Sequence, residues 1–273
     1  MTRPERPLCP EQSSIDDLLA IMARLRDPEG GCPWDLAQDF RSILPYTLEE
    51  AYEVAEAIER DAMPELCDEL GDLLLQVVFH ARMAEERGSF AFADVVAGIY
   101  AKMLRRHPHV FGDAQLRSAV AVNANWELEK AAERAQKEGG ERAGALVGVA
   151  QALPALMRAQ KLQRRAARVG FDWDAIDGVL VKVEEELGEC REVLARQEEP
   201  TRRVHEVGDL LFSCVNLARH LGVDAEQALR AANHRFERRF GEVEAGLAAE
   251  GKAPSVDVRD EMERLWEMVK AAE

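Results

Sequence analysis

One acidic pattern occurs twice in this chain, and its spacing belongs to helices. Leu48-Glu-Glu-Ala-Tyr-Glu53 precedes Glu69-Leu-Gly-Asp72, and Glu184-Glu-Glu-Leu-Gly-Glu189 precedes Glu206-Val-Gly-Asp209. Each copy reads E-E-x-x-E and then E-x-x-D. On a helix Glu49 and Glu53 share a face, Glu50 lies about 100° round the axis, and Glu69 and Asp72 again share a face. If the two helices of a copy pack antiparallel, four or five carboxylates converge with no counter-charge. Like-charge repulsion and lost hydration penalise that arrangement unless a hard cation sits among the acids. Mg²⁺ takes about six oxygens, typically a few carboxylates, waters and phosphate oxygens.

One copy alone says little, since Glu65-Leu-Cys-Asp68 also satisfies E-x-x-D and any solvated helix face carries acids. The repeat selects the register, because only Glu69 and Asp72 align with Glu206 and Asp209 ahead of a Leu-Leu pair. The expected metal ligands are therefore Glu49, Glu50, Glu53, Glu69 and Asp72 in one copy. In the other they are Glu185, Glu186, Glu189, Glu206 and Asp209. Leu66, Leu70, Leu73 and Leu74 beside the first set place it near a bundle interior.

The repetition extends beyond the acids. Gly31-Cys-Pro-Trp34-Asp35 matches Gly170-Phe-Asp-Trp173-Asp174, and the acidic helix recurs about 136 residues later. Lys102 and Arg106 match Arg235 and Arg239. Trp126 and Lys130 match Trp266 and Lys270. Two copies are too few for a solenoid. Helix signals cover Ser13–Arg26, Thr47–Arg60 with Thr47 as N-cap, Pro64–Arg87, Phe92–Arg106 and Asn123–Lys137, separated by Gly and Pro breakers. No β-branched alternation of useful length occurs, so the expected fold is all-α, a tandem duplication of helical modules. The expected organisation is a loose tail over 1–14, an N-terminal module over 15–135, a Gly- and charge-rich linker over 136–150 and a C-terminal module over 151–273.

Composition narrows the function. Lys and Arg number 35 against 51 Asp and Glu, a formal charge of −16, so direct binding of nucleic-acid backbone is not expected. No apolar run approaches a membrane span and no leader opens the chain, which predicts a cytoplasmic protein. Five cysteines without a C-x-x-C pair predict reduced thiols, with Cys67, Cys190 and Cys214 buried in helices. Beside a carboxylate–metal cluster, the paired basic residues suit phosphate oxygens. Trp126 and Trp266 are each either a core anchor or a stacking contact for a base. Together these features indicate a nucleoside polyphosphate. A P-loop is excluded because no G-x-x-x-x-G-K-[ST] occurs. A ferritin-like di-iron bundle is excluded because no Glu has a His three residues later.

Over residues 15–273 the chain resembles the MazG family of all-α nucleoside triphosphate pyrophosphohydrolases. The resemblance is carried by Cys32-Pro-Trp-Asp35, Leu48-Glu-Glu50, Gly71-Asp-Leu-Leu74, Arg105-Arg-His-Pro-His-Val-Phe111, Lys182-Val-Glu-Glu-Glu186, Asn216-Leu-Ala-Arg219 and Asn233-His-Arg-Phe-Glu-Arg-Arg-Phe240. It implies Mg²⁺-dependent cleavage of (d)NTPs between the α and β phosphates, with Mn²⁺ a possible substitute. It also implies a homodimer in which four-helix-bundle-like modules from both subunits complete the sites, and hydrolysis mainly by the C-terminal copy. By that resemblance Lys182, Arg202, Arg235 and Arg239 contact phosphates, Asn233 orients a ligand, and Trp266 and Lys270 lie near the nucleotide. Glu185, Glu186 and Glu189 are the catalytic acids, and Glu186 or Glu189 takes a proton from water. Lys102, Arg106, Trp126 and Lys130 are the matching positions of the first copy. Three departures stand out: His205 replaces a glutamate common in the family, Arg202 and Arg235 replace lysines, and Tyr100 occupies the first copy's position for Asn233. The competing class is a nucleotide-sensing regulatory protein, and no protein partner is legible in the sequence.

Overall fold

The computed structural model describes residues 13–113, 144–196 and 199–273, together with residues 118, 121, 122, 125, 126, 129 and 133. All regular structure among them is helical. The chain divides into two compact units, Met1–Lys130 and Ala131–Glu273.

In the first unit the elements are α1 (Ile15–Leu25), α2 (Pro33–Ala37), α3 (Phe40–Glu59), α4 (Met63–Glu86), α5 (Phe92–Arg106) and α6 (Pro108–Phe111). Helix α1 starts at a capping box in which Ser14 and Asp17 satisfy each other's backbone N–H groups. Helix α3 begins earlier than its sequence predicts. Asp39 accepts from the N–H groups of Arg41 and Ser42, both at 2.8 Å, and Ser42 Oγ accepts from Asp39 N–H at 2.9 Å. That box carries the helix through Pro45, which removes one backbone hydrogen bond in the second turn. Thr47 is therefore no N-cap; its hydroxyl contacts the Ile43 carbonyl and His80 Nε2 at 2.9 Å.

Helices α3 and α4 form a hairpin, with α1 and α5 packed on α4. The core is Met22, Ile43, Val78, Phe79 and Met83, flanked by Leu18, Leu19, Phe40, Leu75 and Phe92. Burying each large side chain there contributes about 1.5–3 kcal/mol. The buried Arg26 locks α1 to α4 through Glu86, with contacts of 2.8–3.1 Å, and donates to the carbonyls of Asp35 and Gln38. Its guanidinium also lies over the Phe79 ring, 5.4 Å from the centroid.

The second unit contains α7 (Ala155–Arg168), α8 (Ile176–Ala195), α9 (Pro200–His220), α10 (Ala225–Ala249), a 3₁₀ turn (Val256–Val258) and α11 (Arg259–Ala271). Helices α8 and α9 form the hairpin, α7 packs on α9 and α10, and α11 packs on α10. Val179, Val193, Val215, Val243 and Leu247 are among its buried apolar side chains. Two buried amides stitch α7 in place: Gln160 Nε2 donates to Val223 O at 2.7 Å, and Gln163 Nε2 to Phe212 O at 2.8 Å. Val149, inside the expected linker, is buried, and Arg165 donates to the Val147 carbonyl, so this end of the linker packs into the unit. The expected tail and residues 134–143 fall outside the described residues, apart from Ser13 and Ser14.

The thiol expectation holds only in part. Cys32, Cys67, Cys190 and Cys214 are free, but Cys67 and Cys214 are exposed and Cys190 is half-buried. Helical periodicity places a residue on a helix; the neighbouring helix decides whether that face is covered.

Candidate metal and nucleotide site

Within each hairpin three carboxylates converge. Glu50 on α3 meets Glu69 and Asp72 on α4. Glu186 on α8 meets Glu206 and Asp209 on α9. In both groups one oxygen from each residue lies within 4.8 Å of the others. The expected five acids thus resolve into three close ones and two at the margin. Glu49 and Glu185 fall outside the close groups, while Glu53 and Glu189 lie near enough to Glu69 and Glu206 respectively to interact with them electrostatically. The first acid of each E-E pair points away because helix packing turns the second acid inward.

The electrostatics record the crowding. Loss of hydration, then the charges of Asp72, Glu53 and Glu69, push the Glu50 carboxyl above its ordinary range. Glu69 is raised by desolvation and by Glu53. Glu189 is raised by desolvation and by the neighbouring Glu206 and Glu186 carboxylates. Glu186 is 5% exposed, and its Oε2 is buried without a hydrogen-bond partner. An ionised oxygen left so is expensive, and a cation among these acids removes the cost. The donor set, all carboxylate oxygen, fits a hard divalent ion such as Mg²⁺.

Among the described residues, ion pairs with protein cations are found at the second cluster. Lys182, one turn before Glu186, reaches Glu186 Oε1 at 2.7 Å and Glu185 Oε1 at 2.9 Å. Those hydrogen bonds, the one to Glu186 foremost, raise its pKa. Arg202 reaches Glu206 Oε1 at 3.3 Å. Lys182 also lines a cavity of about 270 Å³ walled by Leu162, Phe171, Trp173 and Phe212. Trp173 stands close over the start of α8, where a Cβ on Gly178 would meet its Cδ1 at 2.5 Å. The cavity and the acids thus share one lysine.

These observations can be set beside known proteins. A family model, the MazG nucleotide pyrophosphohydrolase domain, matches residues 38–111. The nucleoside triphosphate pyrophosphohydrolase of Escherichia coli strain K12 is 52% identical over 266 residues, covering 96% of this chain and 98% of that protein. A Thermotoga maritima protein named nucleoside triphosphate pyrophosphohydrolase/pyrophosphatase MazG is 42% identical over 259 residues, covering 95% and 96%. The chain belongs to the MazG family. The MazG model matches the unit that carries Glu50, Glu69 and Asp72, while the relatives span both clusters.

The remaining positions expected of a MazG protein form a separate group in the second unit. Trp266 packs on Phe236 with centroids 5.4 Å apart, and Arg239 lies 5.9 Å from the Trp266 ring centroid. Arg239 is held by Glu273, and Lys270 by Glu267 at 3.0 Å. Asn233 and Arg235 are exposed on α10. Among the described residues no hydrogen bond or ion pair joins Asn233, Arg235, Arg239, Trp266 or Lys270 to the acids. In the first unit Lys102 and Arg106 lie near the end of α5, and Trp126 Nε1 donates to the Arg106 carbonyl at 2.8 Å. Lys130 lies outside the described residues.

Sequence reasoning missed the cavity and the pair at its rim. Arg219 donates to both carboxylate oxygens of Asp172, one contact at 2.9 Å, and His220 Nε2 lies 3.0 Å from Asp172 Oδ1. Asp172 lies in the repeated Gly170–Asp174 segment and Arg219 in the Asn216–Arg219 motif, but a pairing across 47 residues leaves no periodic signal. The hydrogen bond from Arg219, more than His220, holds Asp172 down to about 2 from an ordinary 3.8. A depressed carboxyl stabilises the fold above its unfolded pKa and loses that contribution as pH falls through the folded one. Asp172→Asn should therefore be less stable than the parent at pH 6. The gap should shrink between pH 3.8 and about 2, as followed by urea unfolding across pH.

Proposed function

We propose that this chain hydrolyses (d)NTPs between the α and β phosphates, releasing a nucleoside monophosphate and pyrophosphate, with Mg²⁺ as cofactor and the second unit as the main catalyst. The observation that carries this reading is the buried Glu186, with its unpartnered Oε2, grouped with Glu206 and Asp209 in a MazG-family chain. The shared Lys182 supports a pose with the nucleoside in the adjoining cavity and the triphosphate crossing the lysine toward the acids. Trp173 and Phe171 then face the base. Trp266, expected beside the nucleotide, has Phe236 and Arg239 as its contacts.

In this reading Glu186, Glu206 and Asp209 hold Mg²⁺, which when bound polarises phosphate oxygens and acidifies water. Lys182 and Arg202 leave their carboxylates to bind triphosphate oxygens. Glu189 is the base. Its raised pKa favours taking the proton from the attacking water onto a carboxylate oxygen. Water adds to the α phosphorus, the α–β bridging bond breaks, and pyrophosphate leaves with the bridging oxygen. The enzyme is read as a cytoplasmic homodimer. Leu70, Leu74, Val207 and Leu211, exposed along α4 and α9, support a covered face in the assembly.

The test is pyrophosphate release from a panel of (d)NTPs with Mg²⁺. Glu185→Ala with Glu186→Ala should lower the rate about a hundredfold or more. Glu49→Ala with Glu50→Ala should change it less than about threefold, a difference too small to reflect a lost catalytic group. Equal losses from the two pairs would make the units comparable catalysts. Nucleotide binding without pyrophosphate release would favour a sensor.

A further inference from the structure

A glycine inside a helix needs a reason, because it weakens the helix relative to alanine. Gly178 is the third residue of α8. Its φ lies outside the left-handed region, so the backbone there does not call for glycine. The space beside it does, since that space holds the indole of Trp173. A Cβ at Gly178 would stand 2.5 Å from Trp173 Cδ1, 3.4 Å from Cγ and 3.5 Å from Nε1. The first distance is far inside the contact distance of two carbons, so any side chain at this position must displace the ring.

The backbone of Trp173 is anchored separately. Its N–H donates to Asp172 Oδ1 at 2.9 Å, and Asp172 is bound by Arg219 and His220 from the end of α9. The turn is thus tied to α9 while the ring rests on α8. Trp173, Val179 and Lys182 line the same cavity. Gly178, Lys182 and Glu186 follow one another at intervals of four, which places them along one face of α8. The first unit offers an internal comparison. Aligning Glu50 with Glu186 puts Ser42 at the place of Gly178 and Tyr46 at that of Lys182. Ser42 is engaged with Asp39 in the cap of α3. Trp34, the counterpart of Trp173, packs edge-on to Tyr46 with centroids 6.2 Å apart. Where the matching position carries a side chain, the tryptophan rests on a different residue.

We propose that Gly178 is a positioning residue for nucleotide binding: its missing side chain seats Trp173 as a wall of the cavity that receives the nucleoside. The proposal rests on the nucleoside pose given above. Asp172 and Arg219 fix where the turn runs, and Gly178 fixes where the ring lies. A base entering the cavity then meets a flat apolar surface already in place, so little ordering of the indole is left for the binding step. Gly178 itself has no atom that can bind phosphate or a cation through a side chain. Its influence therefore falls on the nucleoside end of the substrate and not on the cleavage of the phosphate chain.

The experiment is Gly178→Ala in the full chain with Mg²⁺. Calorimetry follows binding of α,β-methylene-ATP and of inorganic tripolyphosphate, which has no nucleoside, and pyrophosphate release from ATP gives kcat and KM. Affinity for the analogue should fall about tenfold, the scale of a lost aromatic stacking contact. KM should rise with it while kcat moves less than about threefold. Tripolyphosphate should bind as it does to the parent. The melting temperature should not fall, because alanine strengthens a helix. Trp173→Ala should weaken the analogue at least as much, and adding Gly178→Ala to it should change nothing further. Unchanged affinity for the analogue would overturn the proposal, as would an equal loss for tripolyphosphate. So would a Gly178→Ala effect on binding or melting that persists without the Trp173 ring, since that would make Gly178 a packing residue of α8. The parent separates the two claims. If it binds the analogue but releases no pyrophosphate, the hydrolase reading fails and the seat is still tested by binding. If it releases pyrophosphate and Gly178→Ala does so with unchanged KM, the seat fails alone.

Discussion

Glu186→Gln is expected to lower pyrophosphate release by roughly 10²–10³ while the melting temperature stays near that of the parent. The two halves of this result have different causes. Glu186 is the most enclosed acid of its cluster, its Oε2 is buried without a partner, and one of its carboxylate oxygens lies within 4.8 Å of Glu206 and Asp209. Replacing that oxygen by an amide NH₂ puts a donor where a cation must bind. Folding loses little, because Lys182 keeps Glu185 as a partner and like-charge repulsion with Glu206 and Asp209 is relieved. Rate measurements at saturating Mg²⁺ and thermal unfolding without metal check the two halves separately. A large drop in melting temperature would return Glu186 to a structural role.

The second large effect lies in the first unit. Phe79, 4% exposed, sits between Met22, Ile43, Val78 and Met83 and beneath the Arg26 guanidinium. Phe79→Ala should cost about 3–5 kcal/mol in the unfolding of that unit, through lost burial and the cavity left behind. The loss also frees Arg26 from its ring contact, and Arg26 ties α1 to Glu86 and to the end of α2. Unfolding followed by hydrogen exchange should show lost protection in α1, α3 and α4. Protection in α8 and α9 should be unchanged, since those helices bury Val179, Val193 and Val215 in a core of their own. Uniform loss across both units would mean that the chain unfolds as one.

Much of this architecture is local and was therefore legible in the sequence. The i, i+3 and i, i+4 spacing of the acids places them on helices, and the repeat aligned Glu69 with Glu206 and Asp72 with Asp209. What escaped was set by packing between helices. Rotation of α3 against α4 selects Glu50, not Glu49, for the cluster, and no intrahelical period encodes that choice. The Asp39–Ser42 box started α3 ahead of Pro45, because two satisfied backbone donors outweigh one bond lost to proline. Leu70 and Leu74 read as interior and are exposed in the single chain. The cavity beside Lys182 needs α7, the Phe171–Trp173 turn and α9 brought together. Residues so far apart in sequence share no pattern.

The central claim is that the second cluster directs water to the α phosphorus. It is tested most directly by product analysis of ATP labelled in the γ phosphate, with Mg²⁺ and the full chain. The account predicts that all released label appears in pyrophosphate, with AMP formed in equal amount and both lowered roughly 10²–10³-fold in Glu186→Gln. Label released as orthophosphate with ADP would contradict it.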